Sequence, residues 1–407
     1  MKKHILIISQ YFYPEQFRVN DIAEDLIKRG YKVTVLTGIP NYPKGKYFPG
    51  YHFFSRKEKM GDVEILRIPL IPRGKGKIGL VANYISFVFF GFIWQLFSKL
   101  KPDHIFIYEV SPMTQALPGV WFAKRKNIPV TLYVTDLWPE NVQIVGGINN
   151  PRIINLLEKM VIYIYNNVDL ILTSSNSFIN RIAIRGIPKE KIKFWPQYAE
   201  EFYKPIHEKK ENEIPRDGVI NFTFTGNIGE AQGLGILPLV AKKLKESDHL
   251  VRFNLIGDGR YKEQLLNEIN RNNVAEYFNL IGVKKPTEIS EYFANSDCSL
   301  ITLAENELFE MTIPAKLQSS MACGMPIIAS LNGETAEIIK ESNSGFVSKA
   351  GDANSLEKNI VKFISLSKSE KEILSSNSLN YFDKYYNKNN LMDRLENYFW
   401  GEHFGKF

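Results

Sequence analysis

The feature that most constrains this chain is a repeated alternation between short apolar runs and stretches with helical spacing. Ile5–Ser9, Lys32–Leu36, Val63–Ile68, His104–Tyr108, Val130–Val134 and Leu170–Thr173 form a first series of such runs. Between the first two lies Asn20–Arg29, where Ile22, Leu26 and Ile27 fall on one helical face and Gly30 supplies the stop. Apolar runs without polar alternation, separated by amphipathic helices, predict strands of a parallel sheet covered on both faces. A second series follows the polar stretch His207–Asp217, with strands expected at Asn221–Thr225, Val251–Ile256, Tyr277–Ile281, Cys298–Thr302, Pro326–Ala329 and Gly345–Val347. Helices are expected at Gly235–Glu246, Tyr261–Arg271, Ile289–Asn295, Ala315–Ala322 and Ala336–Glu341.

The pattern therefore predicts an α/β protein of two Rossmann-like, doubly wound parallel-sheet domains, with an interdomain ligand cleft at the carboxyl ends of the strands. The boundary falls within 200–217, giving a first domain over 1–205 and a second over 206–378. Residues 379–407 remain, and the Tyr- and Phe-rich Leu379–Trp400 reads as one helix able to cross back to the first domain. With 407 residues, 44% of them hydrophobic and 23% charged, the chain has material for two such cores. That composition excludes a disordered, collagen-like or multi-span membrane protein. Cys298 and Cys323 are too few for a disulfide framework or a thiolate zinc site, which suits a reducing cytosol. The apolar run at Ile5 is too short for a signal-peptide core.

Charge is unevenly spread. Residues 1–200 carry 27 Lys/Arg and 15 Asp/Glu, a balance of +12, and the remainder carries 24 and 29, a balance of −5. A basic half beside an acidic half points to an anionic surface or ligand met by the first domain. No aromatic nucleic-acid platform, zinc finger or recognition helix accompanies the basic residues, so nucleic acid is not an expected partner. Residues 78–98 contain no formally charged residue and lie between Arg73, Lys75 and Lys77 on one side and Lys99 and Lys101 on the other. Length alone would allow a membrane span. Asn83, Ser86, Gln95 and two glycines interrupt the segment, and crossing would separate strands that belong to one sheet. A helix on the membrane surface, its basic flanks reaching anionic headgroups, is the expectation, with a helix buried in the core as the alternative.

Three elements bear on chemistry. Phe222–Gly229 runs from a strand into a turn holding Gly226 and Asn227, and Gln232–Gly235 opens the next helix. Gly257-Asp258-Gly259 ends a second strand before a second helix. Such turns leave backbone N–H groups free for a phosphate, although glycine turns also arise from geometry alone. Neither is a Walker loop or a dinucleotide fingerprint. The third element is Met311–Ala329, where Pro314 suits the first turn of a helix and Gly324 its end. Lys316 then lies in that first turn, where a cation opposes the helix dipole unless it meets an anion. No DxD motif or metal-ligand spacing is present.

Together, Gly226, Gly257-Asp-Gly, Ile281-Gly-Val283, Met321-Ala-Cys-Gly-Met-Pro326, Gly333-Glu-Thr-Ala-Glu337 and Gly345-Phe-Val resemble the donor-binding half of retaining GT-B glycosyltransferases of the glycosyltransferase-4 type. Gln10–Glu15, Arg29–Thr37, Gly38–Gly45 and Thr135-Asp-Leu-Trp-Pro-Glu140 resemble a bacterial O-antigen and capsule branch, whose members are commonly assigned as N-acetyl-L-fucosamine transferases. The resemblance implies a donor site at Gly226, Asn227, Gly257, Asp258, Val283, Glu310, Met311, Lys316, Leu317, Ser319 and Ser320. It implies a catalytic role for Asp136, with Lys316 in place of the missing cations; Glu109 at the end of its strand is a second catalytic candidate, and Glu15, Arg18, Asn41 and Tyr42, on loops after the first two strands, are expected to meet the acceptor. Thr135 stands where the family has histidine before the aspartate. Met311 and Ser319 stand at the spacing of its E-x7-E pair, with Glu310 one residue early, and Asn227 and Gln232 replace its diphosphate-binding cations.

The implied activity is transfer of N-acetyl-L-fucosamine from a UDP-sugar to a polyprenyl-diphosphate-linked saccharide, with no cofactor and no metal, in O-antigen or capsular polysaccharide assembly. The implied place is the cytoplasm, peripheral on the inner face of the cytoplasmic membrane. A UDP-sugar 2-epimerase of the same fold and a non-catalytic nucleotide-sugar-binding subunit are the competing readings.

Overall fold

The computed structural model describes residues 2–74 and 76–401, so Lys75 and residues 402–407 of the expected C-terminal segment lie outside the described residues. The chain divides into two compact units: Met1–Trp195 joined by Glu396–Phe407, and Pro196–Leu395. By compactness the division comes after Trp195, and the return to the first unit begins at Glu396, within the 379–407 segment expected to cross back.

The first unit is built on an eight-stranded sheet of order β3-β4-β2-β1-β5-β6-β7-β8. Its strands are β1 (His4–Ile8), β2 (Lys32–Thr37), β3 (Lys57–Met60), β4 (Val63–Arg67), β5 (His104–Glu109), β6 (Val130–Val134), β7 (Leu170–Thr173) and β8 (Ile192–Phe194). All pairings are parallel except β3 with β4, an antiparallel hairpin at the sheet edge. The apolar runs are buried as expected of a doubly covered sheet: Ile5–Ile8, Ile105–Ile107 and Leu132–Val134 are all buried.

The second unit carries a six-stranded, wholly parallel sheet of order β11-β10-β9-β12-β13-β14. These strands are β9 (Ile220–Thr225), β10 (Val251–Ile256), β11 (Phe278–Gly282), β12 (Cys298–Thr302), β13 (Ile327–Ser330) and β14 (Gly345–Ser348). Phe222, Phe224, Leu255, Leu300 and Ile328 join the helices Ile236–Glu246 and Ala353–Ser365 in its core. In both sheets the order reverses beside the first strand, between β1 and β5 and between β9 and β12. Such switch points open a crevice at the strand carboxyl ends, the usual ligand position in doubly wound folds.

Two expectations are corrected. Leu379–Trp400 is not one helix: Lys368–Tyr385 ends at Tyr386, and a second helix spans Lys388–Trp400. Asn387 starts the second by accepting from the N–H groups of Asn389 and Asn390 at 3.0 and 3.3 Å. In the charge-free segment the helix Lys77–Phe97 forms, long and apolar enough to cross a membrane by length and composition. Its inward side carries Asn83, Ser86, Phe87, Gly91 and Gln95, whereas Ile78, Val81, Ile85, Phe89, Phe92 and Phe97 are exposed. A wholly buried core helix is thereby excluded.

Candidate functional site

In the second unit the two glycine turns lock together at the switch point. Gly226 N–H donates to Ile256 O at 2.9 Å, and Ile228 N–H to Asp258 O at 2.9 Å. Gly226 and Gly257 have φ of +131° and +144°, and a Cβ at Gly257 would lie 1.8 Å from Gly226 O. Only glycine permits that approach. The end of β12 closes the turn from the other side, where Thr302 Oγ1 donates to Gln232 O at 2.6 Å and Ala304 N–H to Ala231 O at 3.0 Å.

Lys316 reaches this platform from the first turn of the helix Ala315–Ala322. Its Nζ lies 3.8 Å from where a Gly226 Cβ would stand, 3.9 Å from the centre of the Phe224 ring, and donates to Gln232 Oε1. The residue keeps some solvent contact, but its ammonium lies deep, and burial pulls its pKa down to about 7. No carboxylate is paired with it among the described residues. A buried lysine beside the first glycine turn, with no carboxylate to pair it, is suited to meet an anion. Gln232, which sequence reasoning left without a role, is what aims it. The turn Gln232–Gly235 was visible in the sequence, but not the approach of residues 84 positions apart.

The other expected donor residues divide. Gly226 and Asn227 are exposed at the turn, and Glu310 accepts from Asn332 Nδ2 at 3.2 Å. Gly333, with φ +76°, packs its backbone against that of Glu310, which sets the start of the helix Glu334–Glu341 beside it. Met311 is half-buried in the same loop. Ser319 is buried, with its hydroxyl donating to Lys316 O at 3.2 Å. Asp258 is exposed and paired with Lys262 at 3.5 Å, and Val283 is exposed after the edge strand β11. Leu317 and Ser320 are corrected: both are fully buried, and Ser320 is engaged with Ser299 at 2.7 Å, so they support the lysine from behind.

At the first unit's switch point the charges are reversed. Glu15 is buried after β1; its Oε1 accepts from the N–H groups of Asn41 and Tyr42 at 2.7 and 2.6 Å, and its Oε2 from Phe12 at 3.3 Å. Burial outweighs those bonds and raises its pKa to about 7. Glu15 therefore clasps the two loops and, being enclosed, is kept from an acceptor by burial, which corrects its expected role. Asn41 is likewise enclosed, with Oδ1 accepting from Arg73 N at 3.1 Å. Tyr42 is the accessible member: its ring packs with Tyr11 and Phe17 at 5.8 and 5.4 Å and lies beneath the Arg73 guanidinium at 5.2 Å. Arg18 opens the helix Arg18–Lys28 and is half-exposed.

Asp136, after β6, is partly exposed and accepts from Ser111 N–H at 2.9 Å, while Ser111 Oγ receives Trp138 Nε1 and Asn141 Nδ2. Glu140, in the same motif, is held by Arg181 and Arg185 at 2.7 and 2.8 Å, an anchor for the loop. Glu109 is corrected: it is fully buried, neither carboxylate oxygen has a well-aligned hydrogen-bond partner, and burial first, then Asp136, pushes its pKa well up against weaker help from the Asp136 and Thr135 backbone. Burial favours its neutral form, and its place inside the sheet keeps it from a substrate. No group of three or more His, Cys, Asp or Glu side chains close enough for a metal ion occurs among the described residues.

Comparison with known proteins supplies a context for both sites. Residues 206–378 match the model described as "Glycosyl transferases group 1", and residues 16–197 that of the "Glycosyl transferase 4-like domain". WcaI of Escherichia coli (strain K12), provisionally named a colanic acid biosynthesis glycosyl transferase, is 23% identical over 339 residues, 79% of this chain and 81% of that protein. The structure of sucrose-phosphate synthase from Thermosynechococcus elongatus superimposes with a TM-score of 0.75 at 14% identity, covering 98% of each chain. Anabaena HepE in complex with UDP gives 0.67 at 14% identity, covering 98% of this chain and 99% of that one.

Proposed function

The chain joins a glycosyl transferase 4-like domain to a group 1 glycosyl transferase domain and belongs to the GT-B glycosyltransferases; from that premise we propose that it transfers a sugar from UDP to a lipid-diphosphate-linked saccharide, retaining the anomeric configuration. The observation that carries this reading is the Lys316 ammonium, held against the Gly226 and Gly257 turns at the switch point of the second sheet. A UDP donor is supported by likeness to a protein whose structure holds UDP. N-acetyl-L-fucosamine as the sugar rests on the sequence resemblance, and polysaccharide assembly rests on it together with the name of WcaI.

In the proposed step the bond from the anomeric carbon to the β-phosphate oxygen breaks, and its electron pair leaves on UDP. The acceptor hydroxyl oxygen bonds that carbon on the same face, and its proton passes to the departing phosphate oxygen. Lys316 offsets the charge that grows on the diphosphate, so the step is proposed to need no metal. Asp136 orients the acceptor hydroxyl, and Tyr42 offers a face for its sugar ring. The exposed apolar side of Lys77–Phe97, with its basic flanks, supports a peripheral place on the inner face of the cytoplasmic membrane.

The test is donor consumption by purified full-length protein in detergent, with a panel of UDP- and GDP-sugars, an N-acetylglucosamine-diphosphate-lipid acceptor and EDTA. UDP release that requires the acceptor and survives EDTA is the expected result. Free sugar released from the donor without acceptor would overturn it in favour of the epimerase, and binding without turnover in favour of a non-catalytic subunit.

A further inference from the structure

The helix Lys77–Phe97 is built inside out, and its polar side is spent within the fold. Gln10 Nε2 donates to Asn83 Oδ1 at 2.7 Å, Asn83 Nδ2 to Ile71 O at 2.5 Å, Ile71 N–H to Ser86 Oγ at 3.0 Å and Arg125 Nε to Gln95 Oε1 at 3.2 Å. Gly91 lies against Pro118, where a Cβ would come within 2.3 Å of the ring. This tight seam along the helix Leu117–Lys126 leaves an apolar groove of about 420 Å³, lined by Tyr84, Ile85, Val88, Phe92, Leu117 and Trp121. That volume lies in the range of small-molecule sites.

The two ends of the groove differ. At one end the Tyr84 phenol lies beside Tyr11 and within electrostatic reach of Arg73 and Asp136. Arg73 stacks on Tyr42 and joins no ion pair among the described residues. Tyr11 is 3% exposed and its hydroxyl has no well-aligned partner. At the other end Phe92 meets Trp121 edge to face at 5.4 Å, and Lys124, Arg125 and Lys126 follow in the last turn. The groove thus passes from Arg73 and Asp136 beside Tyr84 at one end to the Phe92–Trp121 pair at the other, with basic residues beyond it.

We propose that this groove holds the first isoprene units of the acceptor's own lipid, with the diphosphate at Arg73 and the sugar toward Tyr42 and Asp136. The inference rests on the lipid-linked acceptor of the proposed function and names which part of the surface reads it. A bulk phospholipid would set its headgroup anywhere along the basic rim, whereas a diphosphate at Arg73 would share the Tyr84 end of the groove with Asp136 and so present the reacting sugar there. The exposed Ile85 and Phe89 let the rest of the chain continue into the bilayer.

The test is titration of the full-length protein with farnesyl diphosphate, read by Trp121 fluorescence with Trp121→Phe to identify the signal. Farnesyl diphosphate is expected to bind at least about tenfold tighter than inorganic diphosphate or farnesol. Val88→Phe, which fills the groove, and Arg73→Gln, which removes the cation, are each expected to weaken it about tenfold at unchanged Tm. Equal binding to Val88→Phe, folded by its Tm, overturns the proposal, and so does equal displacement by phospholipid vesicles without a prenyl phosphate. A signal that tracks dimer formation in sedimentation overturns it in favour of a second copy of the chain. The readout needs no donor and no turnover: binding without catalysis sinks the transfer reading alone, and turnover on a lipid acceptor indifferent to Val88→Phe and Arg73→Gln sinks the groove alone.

Discussion

The two units share the order of their central parallel strands and a switch point, yet place opposite charges there. The first 200 residues carry a net charge of +12, but their crevice holds the carboxylates Glu15 and Asp136. The remainder is at −5, and its crevice holds Lys316. Net charge describes the solvated surface and the long-range field, whereas the site is made by the few groups that burial singles out. Burial acts on both in the same sense, toward neutrality: it lowers Lys316 to about 7 and raises Glu15 to about 7. The difference lies in what remains unmet. Glu15 is satisfied by three backbone N–H groups, and Lys316 by one amide oxygen.

The comparison breaks most visibly at Lys316. Lys316→Met should lower kcat/KM for the donor by about 10²–10³, the usual effect of removing one group that stabilises a developing anion. Its Tm should be unchanged or raised, because a buried charge gives way to a similar apolar volume. Unfolding of the variant would instead make the lysine a structural cation. In the wild type, donor KM should be flat below pH 7, where free and bound enzyme both hold the proton. Above pH 7 it should rise by up to about tenfold per unit, since binding must then take up a proton. Lys316→Met should lack that slope.

Glu15 should show the mirrored behaviour in stability. Its folded pKa of about 7 exceeds the ordinary 4.5, so its contribution is complete below pH 4.5 and is lost as pH rises through 7. The loss is about 3 kcal/mol over that window, and Glu15→Gln, which cannot ionise, should flatten it in denaturant titrations at a series of pH values. The smallest effects lie on the inverted helix. Asn83→Leu should cost about 1–3 kcal/mol by stranding Gln10 and Ile71 O, while Ile85→Ser should stay within about 0.5 kcal/mol. The reverse ranking would mean that the apolar side is the packed one.

The strands were legible because a doubly covered parallel strand leaves an uninterrupted apolar run. Val130–Val134, Leu170–Thr173, Val251–Ile256 and Cys298–Thr302 stand where that rule puts them. Lys57–Met60 escaped it, since a four-residue antiparallel edge strand reading Lys-Glu-Lys-Met has no buried face to betray it. Lys316 was legible from a local conflict, a cation in the first turn of a helix. Gln232 was not, because its task exists only once β12 and the first glycine turn meet. Glu109 misled for a related reason: a carboxylate at a strand end reads alike whether it is exposed or enclosed. The clasp at Glu15 was hidden too, since its donors are backbone groups that no residue type announces.

The last described turn of the chain belongs to the first unit. Arg29 and Tyr31 bond Glu396, Phe399 lies on His104 and Phe106 at 4.5 and 5.3 Å, and Trp400 stacks on Tyr31 at 5.9 Å. The unit whose sheet comes first in the chain is therefore finished by residues that follow the second unit. At translation speeds of about 5–20 residues per second, the roughly 200 intervening residues hold the His104 face open for roughly 10–40 s. During synthesis the second unit is complete before the first is sealed, and a nascent chain stalled before Glu396 presents that aromatic face to whatever chaperone is nearest.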